Sequence, residues 1–387
     1  MFHYEEDKFD VKIVEDDGNL NEILASFDPD CIISVGDEDY NNSLKVLYSQ
    51  NYDIRKRWIY LPNLDNIGDY ALNAASHFIL NSVNKSNAPL VSICTPTYNI
   101  GTKLMRTYDS LCAQTYTDWE WVIVDDSTKP ETVELVKKIV AKDHRVKLYN
   151  LEEKSNGCIG EVKYRANMLA SGEYLIELDH DDVLLPNAVE EVVNAFKKHP
   201  EAGFVYSNCA EITEDYTSLT YGDLWAFGYG KYTEEHFNGI KFLSAISPNI
   251  NPKTIRHIVS CPNHLRGWRK KDYVAIGGHN RRLTIADDYE LMVRFFLHTR
   301  FVKIDKMLYL QFYHESNSQD QNRGEIQRRV RNIYEFYNEH IKGRFEQLGV
   351  KDWAYDENPT YPLATESKFN EEERFVNFIY DNNAGIY

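Results

Sequence analysis

The stretch Leu90-Val-Ser-Ile-Cys-Thr-Pro-Thr-Tyr-Asn99 opens as an apolar run and closes on polar residues. The same shape returns in Glu120-Trp-Val-Ile-Val-Asp-Asp126 and in Tyr174-Leu-Ile-Glu-Leu-Asp-His-Asp-Asp182. Short runs of this kind, bounded by turn residues, read as strands buried on both faces. The pattern predicts strands at 90–95, 120–124, 146–149, 174–178 and 204–207, with helices at 103–113, 132–142, 161–170 and 188–198 between them. Strands alternating with helices of about ten residues imply βαβ units. The expected fold class is therefore α/β, with a Rossmann-like, mainly parallel sheet flanked by helices.

Working outward, residues 1–86 read as a small α/β domain, with strand-like runs at 11–14, 31–35 and 58–60 and helix-compatible stretches at 21–27, 43–49 and 70–79. Asn84-Lys-Ser-Asn-Ala-Pro89 has loop chemistry and marks the break. Beyond Asn208 the alternation gives way to an aromatic stretch between Tyr216 and Tyr232, which suits a ring-stacking lid or local core equally. Helical patterns return at 286–298 and 325–340, and a polar tail begins near 352. The expected domains are 1–86, 87–318 and a helical C-terminal extension, 319–387.

The chain has 387 residues, with 43 Lys and Arg against 60 Asp and Glu and a net charge of −17. That balance argues against broad attachment to nucleic acid or anionic membranes, both of which need a positive field. The start, Met1-Phe-His-Tyr-Glu-Glu-Asp, lacks a secretory pattern, and no run is apolar enough for a transmembrane segment. Six scattered cysteines without Cys-x-x-Cys spacing read as reduced thiols, so the expected compartment is the cytoplasm.

In open α/β sheets ligands bind beyond the carboxyl ends of the strands. Three predicted strands run into Thr97-Tyr98-Asn99, Asp125-Asp126-Ser127 and Asp179-His180-Asp181-Asp182. One such cluster is ordinary turn chemistry. Three at one edge suggest a site. Asp179 and Asp181 stand two apart, so a strand persisting through them would turn both carboxylates to one side. Two hard oxygens there suit Mn2+ or Mg2+, which take few protein ligands and complete their shell with water and phosphate. An isolated Asp-x-Asp is more often a solvated turn, so its company decides.

That company is present. Residues 90 to about 318 resemble the family 2 glycosyltransferases: inverting, DxD-containing enzymes of the GT-A fold. The resemblance rests on four pieces in the family's order: 90–99, Ser110-Leu-Cys-Ala-Gln-Thr-Tyr-Thr-Asp-Trp-Glu-Trp-Val-Ile-Val-Asp-Asp-Ser127, 170–186, and Ile276-Gly-Gly278 followed by Asp287-Asp-Tyr-Glu-Leu291. It implies that Thr97, Tyr98, Asn99 and Asp126 face the nucleotide and that Lys163 lies near the donor. It gives Asp179 to the ribose or the metal, and Asp181 to the metal, with Asp182 a further candidate. The usual glycine after the paired Asp is missing; Ser127 stands there directly.

Sugar transfer with inversion needs a base for the acceptor hydroxyl and positive charge for the departing diphosphate. The resemblance assigns the base to Asp288 with Asp287 as its partner, although an acidic pair also simply suits a helix N-terminus. His264, Arg266 and Trp268 fall where donor and acceptor pockets are shaped. His314, in a late His-containing segment, is expected as a metal ligand or phosphate contact. The expected function is metal-dependent transfer of a sugar from a nucleotide-diphospho-sugar, UDP ahead of GDP or dTDP, to a hydroxyl of a glycan or other acceptor. The rivals are a haloacid-dehalogenase-like phosphohydrolase using Asp179 and a non-catalytic nucleotide-sugar or glycan-binding module. No motif specifies the sugar, the acceptor or an oligomeric state.

Overall fold

The computed structural model describes residues 88–151, 154–220, 230–258, 262–313 and 323–350, together with 22, 23, 26, 32–35 and 58–61. The chain forms two compact units, Met1–Ser86 and Asn87–Tyr387. In the first, β1 (Ile32–Val35) pairs in parallel with β2 (Trp58–Leu61), on two of the expected runs. The strand expected at 11–14 and the helices expected at 43–49 and 70–79 lie outside the described residues.

The second unit begins with β3 (Val91–Thr97), α1 (Leu104–Cys112), β4 (Trp119–Asp125), α2 (Pro130–Val140), β5 (Val146–Asn150), α3 (Ile159–Leu169) and β6 (Tyr174–Glu177). A short β7 (Val183–Leu184), α4 (Ala188–Lys198), β8 (Ala202–Ile212), β9 (Ser218–Leu219) and the hairpin β10 (Tyr232–Phe237) and β11 (Ile240–Ala245) follow. Then come α5 (Thr254–His257), β12 (Arg266–Arg269), α6 (Lys270–Ala275), α7 (Asp287–His298), β13 (Arg300–Phe312) and α8 (Arg323–Gln347). The sheet order is β10-β11-β8-β12-β6-β3-β4-β5, with β13 parallel to β8. Strands β6, β3, β4 and β5 are mutually parallel, and β12 alone reverses direction between β6 and β8. The expected mainly parallel α/β architecture is present.

Both faces of the sheet are covered, as parallel pairing requires. On one, Val91, Ile93, Trp121 and Ile123 pack with Leu111 of α1, Val136 of α2 and Val192 of α4. On the other lies α3, where Asn167 accepts the Trp268 indole N–H at 3.0 Å. Trp268 in turn stacks on Tyr273.

The sequence pattern does not mark β12, because Arg266, Arg269, Lys270 and Lys271 stand there as a short basic run. Arg269 and Lys270 are buried. Their heads donate to backbone carbonyls: Arg269 to Phe196 at the end of α4 and to Ala202 at the start of β8, Lys270 to Met168 and Ala170 at the end of α3. The last carbonyls of a helix lack intrahelical donors, so they suit buried cations. Of the aromatic stretch, Tyr216 packs edge-on against Phe312 and Tyr232 opens β10, whereas 221–229 lie outside the described residues. Among the described residues no helix is long and apolar enough to cross a membrane.

Helix α3 starts hard against the loop that leads to α7. The Gly160 N–H donates to the Leu283 carbonyl at 3.1 Å, and a Cβ on Gly160 would stand 2.1 Å from the Asn280 carbonyl oxygen. Gly160→Ala should therefore lower unfolding free energy by about 1–3 kcal/mol in urea denaturation. An unchanged midpoint would show that this contact does not set the position of α3.

Candidate active site

Because β3, β4, β6 and β8 run in one direction, their carboxyl ends share an edge. The reversed β12 starts at that edge, so Arg266 stands opposite Glu177 on one side and Tyr206 on the other. The topology alone thus brings the residues after β3, β4 and β6 to the residues before β12.

The first two strand ends interlock. Asp125 is fully buried and accepts the hydroxyls of Thr97 and Ser127, each at 2.7 Å. Asn99, at φ +48°, accepts the N–H groups of Thr128 and Lys129. Asp126 accepts the Ser155 N–H at 2.8 Å and its hydroxyl at 2.5 Å. Thr97 and Asn99 therefore hold the loops together, while Tyr98 is 55% exposed. Sequence reasoning missed Asp125 as the latch and Ser155 as the anchor of Asp126.

Strand β6 ends at Glu177, and Asp179–Asp182 form a turn, closed by the Asp182 N–H on the Asp179 carbonyl. The expected strand alternation does not apply here. Asp179 and Asp181 keep 35% and 15% side-chain exposure. Asp182 does not face the cleft: buried, it accepts the Tyr309 hydroxyl at 2.8 Å and the Phe312 N–H at 2.7 Å. Burial, then the charges of Asp181 and Asp179, push its carboxyl well above the usual range. Two carboxylates remain as hard donors, a set that fits Mg2+ or Mn2+ completed by water and phosphate oxygens. Among the described residues no three His, Cys, Asp or Glu side chains form a metal-binding group, and His314 lies outside them.

Behind this turn sits a buried charge cluster. Lys163 of α3 lies 2.5 Å from Glu177 and 3.3 Å from Asp287. Arg266 lies 2.9 Å from Asp288 and 3.8 Å from Glu177. Lys163 thus stands behind the cleft, paired with carboxylates. Burial opposes ionisation of Glu177, but Lys163 and Arg266 outweigh it and hold the carboxyl far below the usual range. Glu177 is the residue that sequence reasoning passed over; its signal was a carboxylate inside an apolar strand.

Asp287 and Asp288, adjacent in the first turn of α7, differ sharply. Burial pushes Asp287 up to about 6 against the pull of Lys163. Asp288 is lowered: Arg266, then Lys163, overcome its desolvation. Asp288 keeps 29% side-chain exposure, whereas Asp287 is buried. Two neutral imidazoles complete the surroundings. Burial, with Arg266 adding to it, takes His264 down to about 4; its ring stacks on Tyr309 and its Nε2 lies 3.6 Å from Asp179. Burial takes His279 down to about 3; its Nδ1 pairs with the Tyr273 hydroxyl at 2.8 Å, and its Nε2 lies 4.0 Å from Asp287. Trp268 does not line the cleft: it is fully buried in the core.

An acidic cluster at the carboxyl edge of a mainly parallel sheet, underlain by two buried cations, makes this edge the candidate site of an α/β protein. Residues 92–247 match the family model described as glycosyl transferase family 2. It is 27% identical over 269 residues to a chondroitin synthase of Pasteurella multocida, covering 70% of this chain and 24% of that one. It is 28% identical over 276 residues to a chondroitin synthase of Escherichia coli, covering 71% and 35%. The chain thus spans little more than a third of either relative at most. Among solved structures it resembles S. aureus TarS 1-349 in complex with UDP-GlcNAc at 16% identity and TM-score 0.49, covering 74% of this chain and 78% of that one.

The raised Asp287 carboxyl has a consequence for stability. Its folded value of about 6 exceeds the ordinary 3.8, so the native state binds the extra proton between those values. Stability from this group therefore falls as pH rises through that window. The unfolding free energy of the wild type relative to Asp287→Asn should decrease between about pH 4 and pH 7 in urea titrations. An increase over that range would contradict the assignment.

Proposed function

We propose that the chain is a nucleotide-sugar glycosyltransferase: metal-dependent, inverting, with a UDP-sugar as the leading donor. The observation that carries this reading is the link across the β6–β12 pair. Glu177, Arg266 and His264 connect the Asp179 turn to Asp288 on one sheet edge.

In this reading the loops after β3 and β4 receive the nucleotide. Asp126 uses one lone pair per oxygen on Ser155 and keeps others for a base N–H. Asp179 and Asp181 would hold Mn2+ or Mg2+, which when bound supplies positive charge for the departing diphosphate. Asp288 takes the proton of the acceptor hydroxyl as that oxygen bonds to the anomeric carbon, while the bond from that carbon to the diphosphate oxygen breaks with its electron pair. Asp287 has the higher basicity, but it is buried against Lys163; a base must first be within reach of its proton. Arg266 keeps Asp288 ionised and fixed, and the two neutral histidines add no competing charge. A glycan hydroxyl is the proposed acceptor class, in line with relatives named chondroitin synthases. The phosphohydrolase reading wants its aspartate after the first strand of the sheet, whereas β3, β4 and β5 precede β6.

A panel of nucleotide sugars with Mn2+, scored by thermal shift and by donor hydrolysis, tests the reading. A UDP-sugar should raise the melting temperature in a metal-dependent way, and Asp181→Ala should abolish the effect. Binding without turnover to any acceptor would favour the non-catalytic module; no nucleotide-sugar binding would end the proposal. Asp288→Asn should lower kcat roughly 100- to 10,000-fold with donor affinity retained. Retained kcat would remove Asp288 as the base.

A further inference from the structure

Two consecutive residues of α1 hold three of the four backbone carbonyls of the turn that presents Asp181. Arg106 Nε donates to the Asp181 carbonyl at 2.6 Å. The Thr107 hydroxyl lies 3.0 Å from the His180 carbonyl and 2.9 Å from that of Asp182, a shared hydrogen bond. The guanidinium of Arg106 also forks onto Glu214, at 2.6 and 3.4 Å, in the turn after β8. Its flat face lies 3.6 Å from the centre of the Phe312 ring. The circuit closes there, because the Phe312 N–H donates to the buried Asp182 carboxylate.

We propose that Arg106 is a positioning residue for the carboxylates of Asp179 and Asp181, a role that rests on the metal-holding function proposed above for that pair. Two neighbouring carboxylates repel, and a loose turn would let them separate. Ordering backbone at the moment of binding costs conformational entropy, which a turn already fixed does not pay. Fixation should therefore show in affinity for the cation more than in the chemical step. A lysine cannot replace this group, since only a planar guanidinium can donate to a carbonyl, fork onto a carboxylate and stack on a ring together.

The test is calorimetric titration of the full chain with Mn2+ in the presence of UDP, which reads affinity without turnover. Arg106→Gln should weaken Mn2+ binding about tenfold, the range seen when groups behind a metal ligand are removed. Arg106→Lys should weaken it comparably, and Glu214→Gln, which leaves the Nε contact in place, should do so less. The rate at saturating Mn2+ should fall by far less than the affinity does. Thr107→Val supplies a second variant acting on the same turn, should Arg106→Gln unfold. Folded Arg106 variants with wild-type Mn2+ affinity would overturn the proposal. So would a rate loss at saturating Mn2+ as large as the affinity loss. Absence of Mn2+ binding by the wild type would instead overturn the metal reading itself, and this inference with it.

Discussion

Everything at the cleft depends on one buried anion, Glu177, held between Lys163 and Arg266. Removing an ion from water costs several kcal/mol, and only close partners offset it. The three charges therefore stay together only while α3, β6 and β12 keep their places. Each cation also reaches forward to α7, Lys163 to Asp287 and Arg266 to Asp288. A strand in the middle of the sheet is in this way tied to the helix that carries the proposed base. The reversal of β12 makes the arrangement possible, because a parallel strand would have delivered Arg266 to the opposite edge.

The same cluster divides the labour of two adjacent aspartates. Asp288 is partly exposed and paired with Arg266, so it stays ionised at neutral pH. Asp287 is buried against Lys163 and titrates near neutrality. The turn before α7 contributes, since Ala286 adopts a left-handed conformation at φ +56° and both acids enter the first helical turn. There the helix dipole favours negative charge.

The α/β core was legible because parallel strands covered on both faces are mostly apolar, and 91–97 and 119–125 carry apolar residues among a few buried polar ones such as Ser92, which donates to Glu120. The clustering of polar residues at three strand ends pointed to the edge where Glu177, Arg266 and Asp288 also gather. Less was readable where local pattern and tertiary role diverge. Arg269 at the end of β12 and Lys270 at the start of α6 are buried cations inside a basic sequence, and their carbonyl partners lie about 70 to 100 residues away. Asp182 belongs to the same acidic run as Asp181, yet Tyr309 and Phe312, which draw it inward, arrive from β13. Glu177 was visible but had no local meaning without Lys163 and Arg266. Trp268 looked like a pocket residue beside His264 and is core, because it shares a face with Arg266 but pairs with Leu175, two residues further from the carboxyl edge, where its indole reaches Asn167.

The most direct test of this account is a carboxyl-carbon NMR titration of the protein labelled at aspartate, with resonances assigned through Asp287→Asn and Asp288→Asn. Asp287 should titrate near pH 6, as its burial dictates, while Asp288 stays ionised to below the usual carboxylate range. Two resonances titrating together near the ordinary value, or the reverse order, would contradict the claim that Glu177 and its two cations set the site.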